Sequence, residues 1–201
     1  VAQAGPVAAA LTATGRKVDL VEITTHGDIS REPLAAIGGT GVFVSEAEFR
    51  RVTFPAEFLD GEEALVYTAG SPLRPDVKGP GYWVFTPAQL AGGSILLVNR
   101  GFVPIGRKDP ATRMEGAPHG SVDIVGVIRW PEKRTSFTPP DDPKDNVWYL
   151  RDSDAIAASK KWLTAAPFYI DQESPVPQGG TPKPGVDYRA VLRSEWRIAA
   201  E

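Results

Sequence analysis

The chain has 201 residues, of which 42% are hydrophobic and 23% are charged, and its formal net charge is −3. A chain of this length can bury about 70% of the surface that its unfolded form exposes, so one domain is expected without a metal or disulfide to stabilise it. With 22 Lys and Arg against 25 Asp and Glu, the chain lacks the basic excess on which nucleic-acid binding depends.

Its densest apolar runs, 7–11 and 95–98, are far shorter than the roughly 20 residues that cross a bilayer. We therefore expect neither a membrane helix nor a signal peptide within this sequence. The absence of cysteine removes disulfides, thiolate metal ligands and thiol nucleophiles. Twenty glycines and 19 prolines divide the chain, so short elements are expected rather than long helices.

The N-terminal segment gives the weakest pattern. Residues 1–15 are small and weakly patterned, which predicts a flexible lead-in. In 16–29, Val18, Val21 and Thr25 recur at helical spacing although residues 23–25 are β-branched, and the prediction here is a helix. Ser45 and Glu48 have the spacing of a capping box, which indicates one helical turn.

From residue 49 onward, apolar residues recur with the period of two that is typical of a half-buried strand. In the strand predicted over 49–58, the buried face carries Val52, Phe54, Ala56 and Phe58. Asp60 and Gly61 form a turn signal before a second strand over 64–69, and the two strands are interpreted as a hairpin.

A third strand is predicted over 82–85, followed by a turn at Thr86 and Pro87. After Gly92 and Gly93, the near-continuous apolar run 94–103 predicts a central strand covered on both faces. Asn99 and Arg100 interrupt this run, and such groups are costly to bury unless they are bonded. We interpret them as ties between neighbouring loops, with contact to a ligand as the alternative.

The C-terminal half continues with strands over 121–130, 147–150, 168–171 and 188–192, separated by polar loops at 107–120 and 139–145. Asp152 is a helix N-cap residue, and Ala155, Ile156, Ala158, Trp162 and Leu163 follow at helical spacing. The pattern predicts a mainly β (α+β) fold: an antiparallel β-barrel or sandwich of about seven strands with one or two peripheral helices.

Few residues indicate catalysis or metal binding. His119, Ser121 and Asp123 could form a hydrolase triad, but they are nearly contiguous and no G-x-S-x-G elbow is present. The acidic loop 141–145 does not match an EF-hand, and the glycines at 38–41 do not match a phosphate loop. We predict no catalytic residue and no metal ligand, and interpret His119 as an exposed turn residue.

One block, 81–104, carries more information than the rest. It resembles the SURF1 family, whose pattern G-[YH]-x-V-x-T-P-x-x-L-x-x-G-x-x-[IV]-L-V-N-R-G-[WF]-V-P it follows closely. The likeness continues in order through 126–134, 137–139, 146–152 and 167–171, and covers roughly residues 16–193. The family-motif residues singled out are Gly81, Thr86, Pro87, Asn99, Arg100, Gly101, Pro104, Trp148 and Asp152.

The resemblance implies a cytochrome c oxidase assembly factor without catalytic activity, which assists heme a delivery or insertion. It also implies anchoring in the inner membrane by two helices, with this domain on the periplasmic face or in the intermembrane space. The implied partners are cytochrome c oxidase subunit I or heme a synthase, and heme a is the implied cofactor of the full-length protein.

In the family, an N-x-H-x-x-Y-A-x-T-W block follows the last strand and carries the histidine associated with heme. Here Trp196 holds the expected histidine position, so no heme ligand is assigned to this chain. We interpret 16–193 as the SURF1-like domain and 194–201 as a foreign or truncated tail. The alternatives are a small-ligand-binding β-barrel module of the periplasm with no heme role, and a hydrolase.

Overall fold

The computed structural model describes residues 24–25, 51–59, 61–70, 77–115, 118–177 and 182–184. The strands are β1 (Thr24–Thr25), β2 (Arg51–Phe58), β3 (Ala64–Thr68), β4 (Gly81–Gln89), β5 (Ile95–Pro104), β6 (Ser121–Arg129), β7 (Val147–Trp148) and β8 (Ala165–Ser174). The helix α1 (Ser153–Lys160) lies between β7 and β8, and two short 3-10 helices, Ile105–Arg107 and Pro110–Arg113, follow β5.

The strands form one sheet in the order β1-β2-β6-β8-β5-β4-β3-β7, and β2 also pairs with β4. Five strands, β2, β6, β8, β5 and β4, therefore close into a barrel, while β1, β3 and β7 extend the sheet outside it. Only the pairs β5–β8 and β3–β7 are parallel among the described strands. The predicted mainly β barrel with few helices is confirmed.

Two apolar clusters lie on opposite faces of the barrel wall. The inner cluster fills the barrel, and its largest fully buried members include Phe54, Leu96, Ile124, Phe168 and Ile170. The outer cluster packs the wall against β7 and α1, and includes Phe85, Leu97, Trp148, Ile156 and Tyr169. Successive side chains of a strand point to opposite faces, so β5 and β8 are apolar on both, as predicted for the central strand.

The predicted hairpin of β2 with β3 is wrong. β3 pairs with the first half of β4, from Ala64 opposite Phe85 to Thr68 opposite Gly81. β2 pairs with the last residues of β4, with Phe58 opposite Ala88. The two strands therefore share one edge of β4. The direct pairing of the end of β2 with β4 closes the barrel.

The predicted turn at Thr86 and Pro87 is also wrong, since β4 runs through both residues. The Pro87 carbonyl accepts a hydrogen bond from the Leu59 amide at 2.9 Å. The amide and carbonyl of a strand residue face the same edge, so the donor that proline lacks falls on the β2 edge. The ladder between β4 and β5 is therefore intact, which explains how the strand accommodates a proline.

The predicted helix over 16–29 is wrong at the two described residues, because Thr24 and Thr25 pair with Thr53 and Val52. Asp152 caps α1 as predicted, accepting the Ala155 amide at 3.0 Å. The predicted apolar face of this helix is partly wrong, because Ile156 and Ala157 are buried whereas Leu163 is exposed. The lead-in, the turn near Ser45, the glycines at 38–41, the strand over 188–192 and the tail lie outside the described residues.

Candidate functional site

A β-bulge separates the two polar residues of β5. Val84 pairs with Gly101 and Phe85 pairs with Asn99, so Arg100 is the extra residue of the bulged strand. Asn99 is 4% exposed and Arg100 is 5% exposed. The bulge directs the two side chains into different surroundings, which we call the Asp171 cluster and the Glu63 cluster.

Gly101 follows the bulge with a φ of +125°, a conformation that glycine adopts without strain. The Phe102 amide donates to the Lys183 carbonyl at 2.7 Å, and the Lys183 amide donates back at 2.9 Å. A Cβ at Gly101 would lie 1.9 Å from the Lys183 carbonyl oxygen. Only glycine therefore lets the segment 182–184 approach β5.

The Asp171 cluster begins with a direct cross-strand pair. Asn99 and Asp171 are register partners in the parallel ladder of β5 and β8. The Asn99 amide nitrogen donates to Asp171 Oδ1 at 2.7 Å, and its oxygen accepts the Gly101 amide at 3.1 Å. Arg129 Nη1 lies 3.5 Å from Asp171 Oδ2. The buried carboxylate is thus bonded to both neighbouring strands.

Arg151 and Glu132 extend this cluster. Glu132 accepts hydrogen bonds from Arg151 Nε at 2.9 Å and from the Arg151 amide at 3.0 Å. Burial raises the pKa of Glu132, but the hydrogen bond and charge of Arg151 outweigh it and hold that pKa below its ordinary value. Burial lowers the pKa of Arg151, but the hydrogen bond and charge of Glu132 and the charge of Asp171 raise it above its ordinary value. The pair therefore stays ionised.

Tyr169 lies at the centre of these charges and packs edge-on against Phe85, with ring centroids 5.2 Å apart. Burial raises the pKa of its phenol, and the nearby charge of Asp171 raises it further. The hydroxyl is buried and makes no hydrogen bond with the described residues. Tyr169 therefore stays protonated at neutral pH.

The Glu63 cluster joins β5 to loops. The buried Glu63 carboxylate accepts hydrogen bonds from both terminal nitrogens of Arg113, and Nη1 lies 2.9 Å from Oε1. Arg100 Nη1 lies 3.9 Å from Glu63 Oε1, and its guanidinium stands 4.8 Å from the centre of the Phe58 ring. Asn146 donates from its side chain to the Glu63 carbonyl at 2.7 Å. The Glu63 carboxylate therefore holds the 3-10 segment and the bulge, while its backbone carbonyl holds the turn before β7.

The structure places most of the family-motif residues in buried positions. A Cβ at Gly81 would lie 2.3 Å from the Val103 carbonyl oxygen, while Thr86 and Pro87 are buried in β4. Trp148 packs in the outer cluster, and Pro104 is exposed at the end of β5. The sequence interpretation of Arg100 as a tie to loops agrees with its contact to Glu63, whereas Asn99 bonds to a strand.

Five residues of these clusters were not among the predicted site residues: Asp171, Tyr169, Glu63, Arg113 and Arg151. Asp171 ends an apolar run as Asn99 does, and that signal could have identified it. Glu63 and Arg113 lie in polar stretches where nothing in the pattern distinguishes a buried side chain from an exposed one. Their pairing depends on how the loops fold back onto β5.

The other sequence candidates lie at the surface. His119, Ser121 and Asp123 are all exposed. In the acidic loop, Asp142 Oδ1 accepts the amides of Lys144 and Asp145 at 3.1 and 3.2 Å, which makes it a turn-forming side chain. The described residues contain no group of three or more His, Asp or Glu side chains placed to hold a metal.

A cleft of about 450 Å³ opens at one end of the barrel, between β2, the end of β4 and the start of β6. Pro55, Glu57, Gln89, Ala91 and Ser121 are among its lining residues. The cleft combines one carboxylate, one amide and one hydroxyl with a backbone turn. Its volume lies within the range of small-molecule sites.

Fold and site together define a small five-stranded β-barrel domain with two polar clusters beside one bulged strand. The SURF1 family model matches residues 15–197. The chain therefore belongs to the SURF1 family.

Curated relatives agree with this assignment. The chain is 33% identical over 169 residues to a SURF1-like protein of Monosiga brevicollis, covering 81% of this chain and 63% of that protein. It is 40% identical over 116 residues to Surfeit locus protein 1 of Rattus norvegicus and 39% identical over 118 residues to that of Homo sapiens. These two alignments cover 57% of this chain and 37% of each relative.

Within the described ranges, no helix is long and apolar enough to span a bilayer.

Proposed function

We propose that this chain is the extramembrane domain of a cytochrome c oxidase assembly factor and that the whole protein assists delivery or insertion of heme a. The domain corresponds to residues 16–193, lies on the periplasmic face of the inner membrane or in the intermembrane space, and performs no catalysis. Its partners are cytochrome c oxidase subunit I or heme a synthase.

The observation that carries this proposal is the family match over residues 15–197. The motif segments inside that range contribute Asn99, Arg129 and Asp171, which are joined at the buried Asp171 carboxylate. A closed barrel stabilised in this way is suited to presenting a fixed surface. This supports a role in assembly, where shape and rigidity matter more than a reactive group.

The described residues do not fit a heme. His119 and Met114 are both exposed on the loop that follows β5, whereas axial ligands such as His or Met must face the metal of a macrocycle held in an apolar site. The interior of the barrel is filled by the side chains of the inner cluster. We therefore assign heme contact to no described residue, and heme a remains a proposed cofactor of the full-length protein only.

Deleting the complete gene from its own host tests the proposal. We expect the heme a absorbance and the oxidase activity of the membranes to fall severalfold, because a missing assembly factor limits the yield of mature oxidase. The cytochrome b content of the same membranes is the control and should not change. An unchanged amount of mature oxidase in the deletion strain would contradict the proposed function.

The cleft at the barrel end favours a second candidate, a small-ligand-binding barrel module of the periplasm. A ligand there would raise the melting temperature of the isolated chain, because binding to the folded state stabilises it. Ala91→Trp is a matched control, since it places a bulky side chain at the exposed rim of the cleft. If no compound in a panel of small polar metabolites raises the melting temperature of the wild-type chain above that of Ala91→Trp, this candidate is contradicted.

A further inference from the structure

Phe137 is the most exposed large hydrophobic residue among those described, with 96% of its surface accessible. It lies in a turn between Thr135 and Thr138, whose backbones are joined by a hydrogen bond of 3.1 Å from the Thr138 amide. The Thr138 hydroxyl accepts the Thr135 amide at 3.0 Å. The aromatic ring is therefore held out from the protein by a turn that is bonded within itself.

Arg134 fixes the base of this turn. Its Nη1 donates to the Pro139 carbonyl at 2.5 Å, and its Nη2 pairs with Asp141. Asp141 also accepts the Tyr149 amide at 2.8 Å. The turn is thus tied to the segment that follows β7, and the backbone that carries the ring loses little conformational freedom when a partner binds, which favours affinity.

A row of partly exposed tyrosines is connected to the turn through Asp141, which pairs with Arg134 and accepts the Tyr149 amide. The ring of Tyr149 lies 6.0 Å from that of Tyr67, and Tyr67 lies 6.1 Å from Tyr82. Lys108 stands over Tyr82, with Nζ 5.6 Å from the ring centre. Aromatic residues are enriched at the centre of protein interfaces. Phe137 and the tyrosine row are therefore linked through the Asp141 carboxylate.

The charges near Phe137 favour a protein over a lipid surface. Residues 133–145 carry three basic side chains, Lys133, Arg134 and Lys144, and three acidic ones, Asp141, Asp142 and Asp145, so their net charge is zero. Binding to an anionic bilayer depends on an excess of basic side chains. Arg134 is neutralised by Asp141, which leaves Lys133, exposed beside the turn, as the basic group nearest to Phe137 in the sequence.

We propose that the Phe137 turn is an anchor that inserts into an apolar pocket of a partner protein, with an acidic side chain of that partner facing Lys133. The proposal is independent of the oxidase role, because it depends on the shape and charge of this turn alone. The tyrosine row continues the contact beside the pocket.

The test is photocrosslinking of the full-length protein in its own host, with p-benzoylphenylalanine incorporated at position 137. Leu163 is the matched control, because it is 91% exposed on the turn after α1. We expect a discrete protein adduct from position 137 and none of that size from position 163. Mass spectrometry should map the adduct to an apolar pocket beside an Asp or Glu.

Lys133→Glu in the same background should lower the adduct yield by about fivefold, the upper range for an exposed charge pair, whereas Lys144→Glu should leave it unchanged. The proposal would be overturned if position 137 gave no adduct, gave a lipid adduct without a protein adduct, or gave the same adducts as position 163. A mapped site without an acidic neighbour would also overturn it.

Discussion

The two polar clusters beside β5 are built in different ways. The Asp171 cluster joins residues that the sheet already places opposite each other, since Asn99 and Asp171 are ladder partners. The Glu63 cluster joins residues that no ladder aligns: Glu63 precedes β3, Arg113 lies in a 3-10 helix, and Arg100 is the bulge residue. We infer that the first cluster stabilises the barrel itself and the second fixes its loops.

Removing Glu63 should separate these roles most clearly. Glu63→Ala leaves Arg113 buried without its carboxylate, and breaking a buried ion pair costs about 3–5 kcal/mol of unfolding free energy. Urea unfolding measures this cost, with Lys108→Ala as the control. Amide hydrogen exchange should accelerate in 105–115 before β5 and β8, whereas 142–147 should change little because the substitution keeps the backbone carbonyl that Asn146 binds. Faster exchange across β5 and β8 alone would show that the clusters do not have separate roles.

Asn99→Ala should act on the barrel. It removes the hydrogen bond to the Asp171 carboxylate and leaves the Gly101 amide without its acceptor, at a cost of about 2–3 kcal/mol. Here exchange should accelerate first in β5 and β8. A loss no greater than that of Lys108→Ala would mean that Asp171 is satisfied without Asn99.

Tyr169→Phe sharpens the comparison inside the Asp171 cluster. The hydroxyl makes no hydrogen bond with the described residues, so its removal should change the unfolding free energy at neutral pH by less than about 1 kcal/mol. Because burial raises the pKa of Tyr169, the unfolded state loses the phenolic proton first, at its ordinary value of 10.0.

The wild type should therefore lose stability as pH rises above that value, and Tyr169→Phe should lose less. Thermal melts between neutral and alkaline pH compare the two proteins. Parallel pH curves would show that the phenol is not buried as described.

The smallest expected change in unfolding free energy is at Glu132, at the edge of the Asp171 cluster. Glu132→Gln should cost less than about 1 kcal/mol at neutral pH, because both side chains of the Arg151 pair remain partly exposed to screening solvent. Arg151 lowers the pKa of Glu132, so this contribution is present above the ordinary value of 4.5 and is lost as pH falls through the lowered pKa. The melting temperatures of the wild type and Glu132→Gln should therefore converge at acidic pH. A difference in melting temperature that stays constant down to the lowered pKa of Glu132 would show that the ion pair does not cause it.

Much of the barrel could be predicted from local patterns. Alternation in β2 placed Val52, Phe54, Ala56 and Phe58 on the buried face, and the Asp152 cap marked the start of α1. Pairing was harder to predict: a turn signal at Gly61 indicates that the chain bends, but it does not say which edge the next strand will join. The turn predicted at Pro87 was wrong for a related reason. The energetic cost of a proline in a strand depends on which edge of the strand its missing amide donor would face.

The clusters were less predictable than the strands. Asn99 and Arg100 were recognisable because polar groups inside an apolar run need partners. Their partners come from positions 72 residues later and 37 residues earlier in the chain, and the bulge that separates the two side chains leaves no local mark. Only the three-dimensional arrangement tells Arg113 from the exposed basic residues around it.

The position of β8 between β5 and β6 has a consequence for synthesis on the ribosome. Until residues 165–174 emerge, β5 and β6 each present an unpaired edge, and the barrel cannot close. Parallel pairing across such a long chain interval forms slowly because distant segments must first meet. A nascent chain that pauses before residue 165 would therefore expose two open strands, which are templates for aggregation, and its survival would depend on chaperones holding it until β8 has been synthesised.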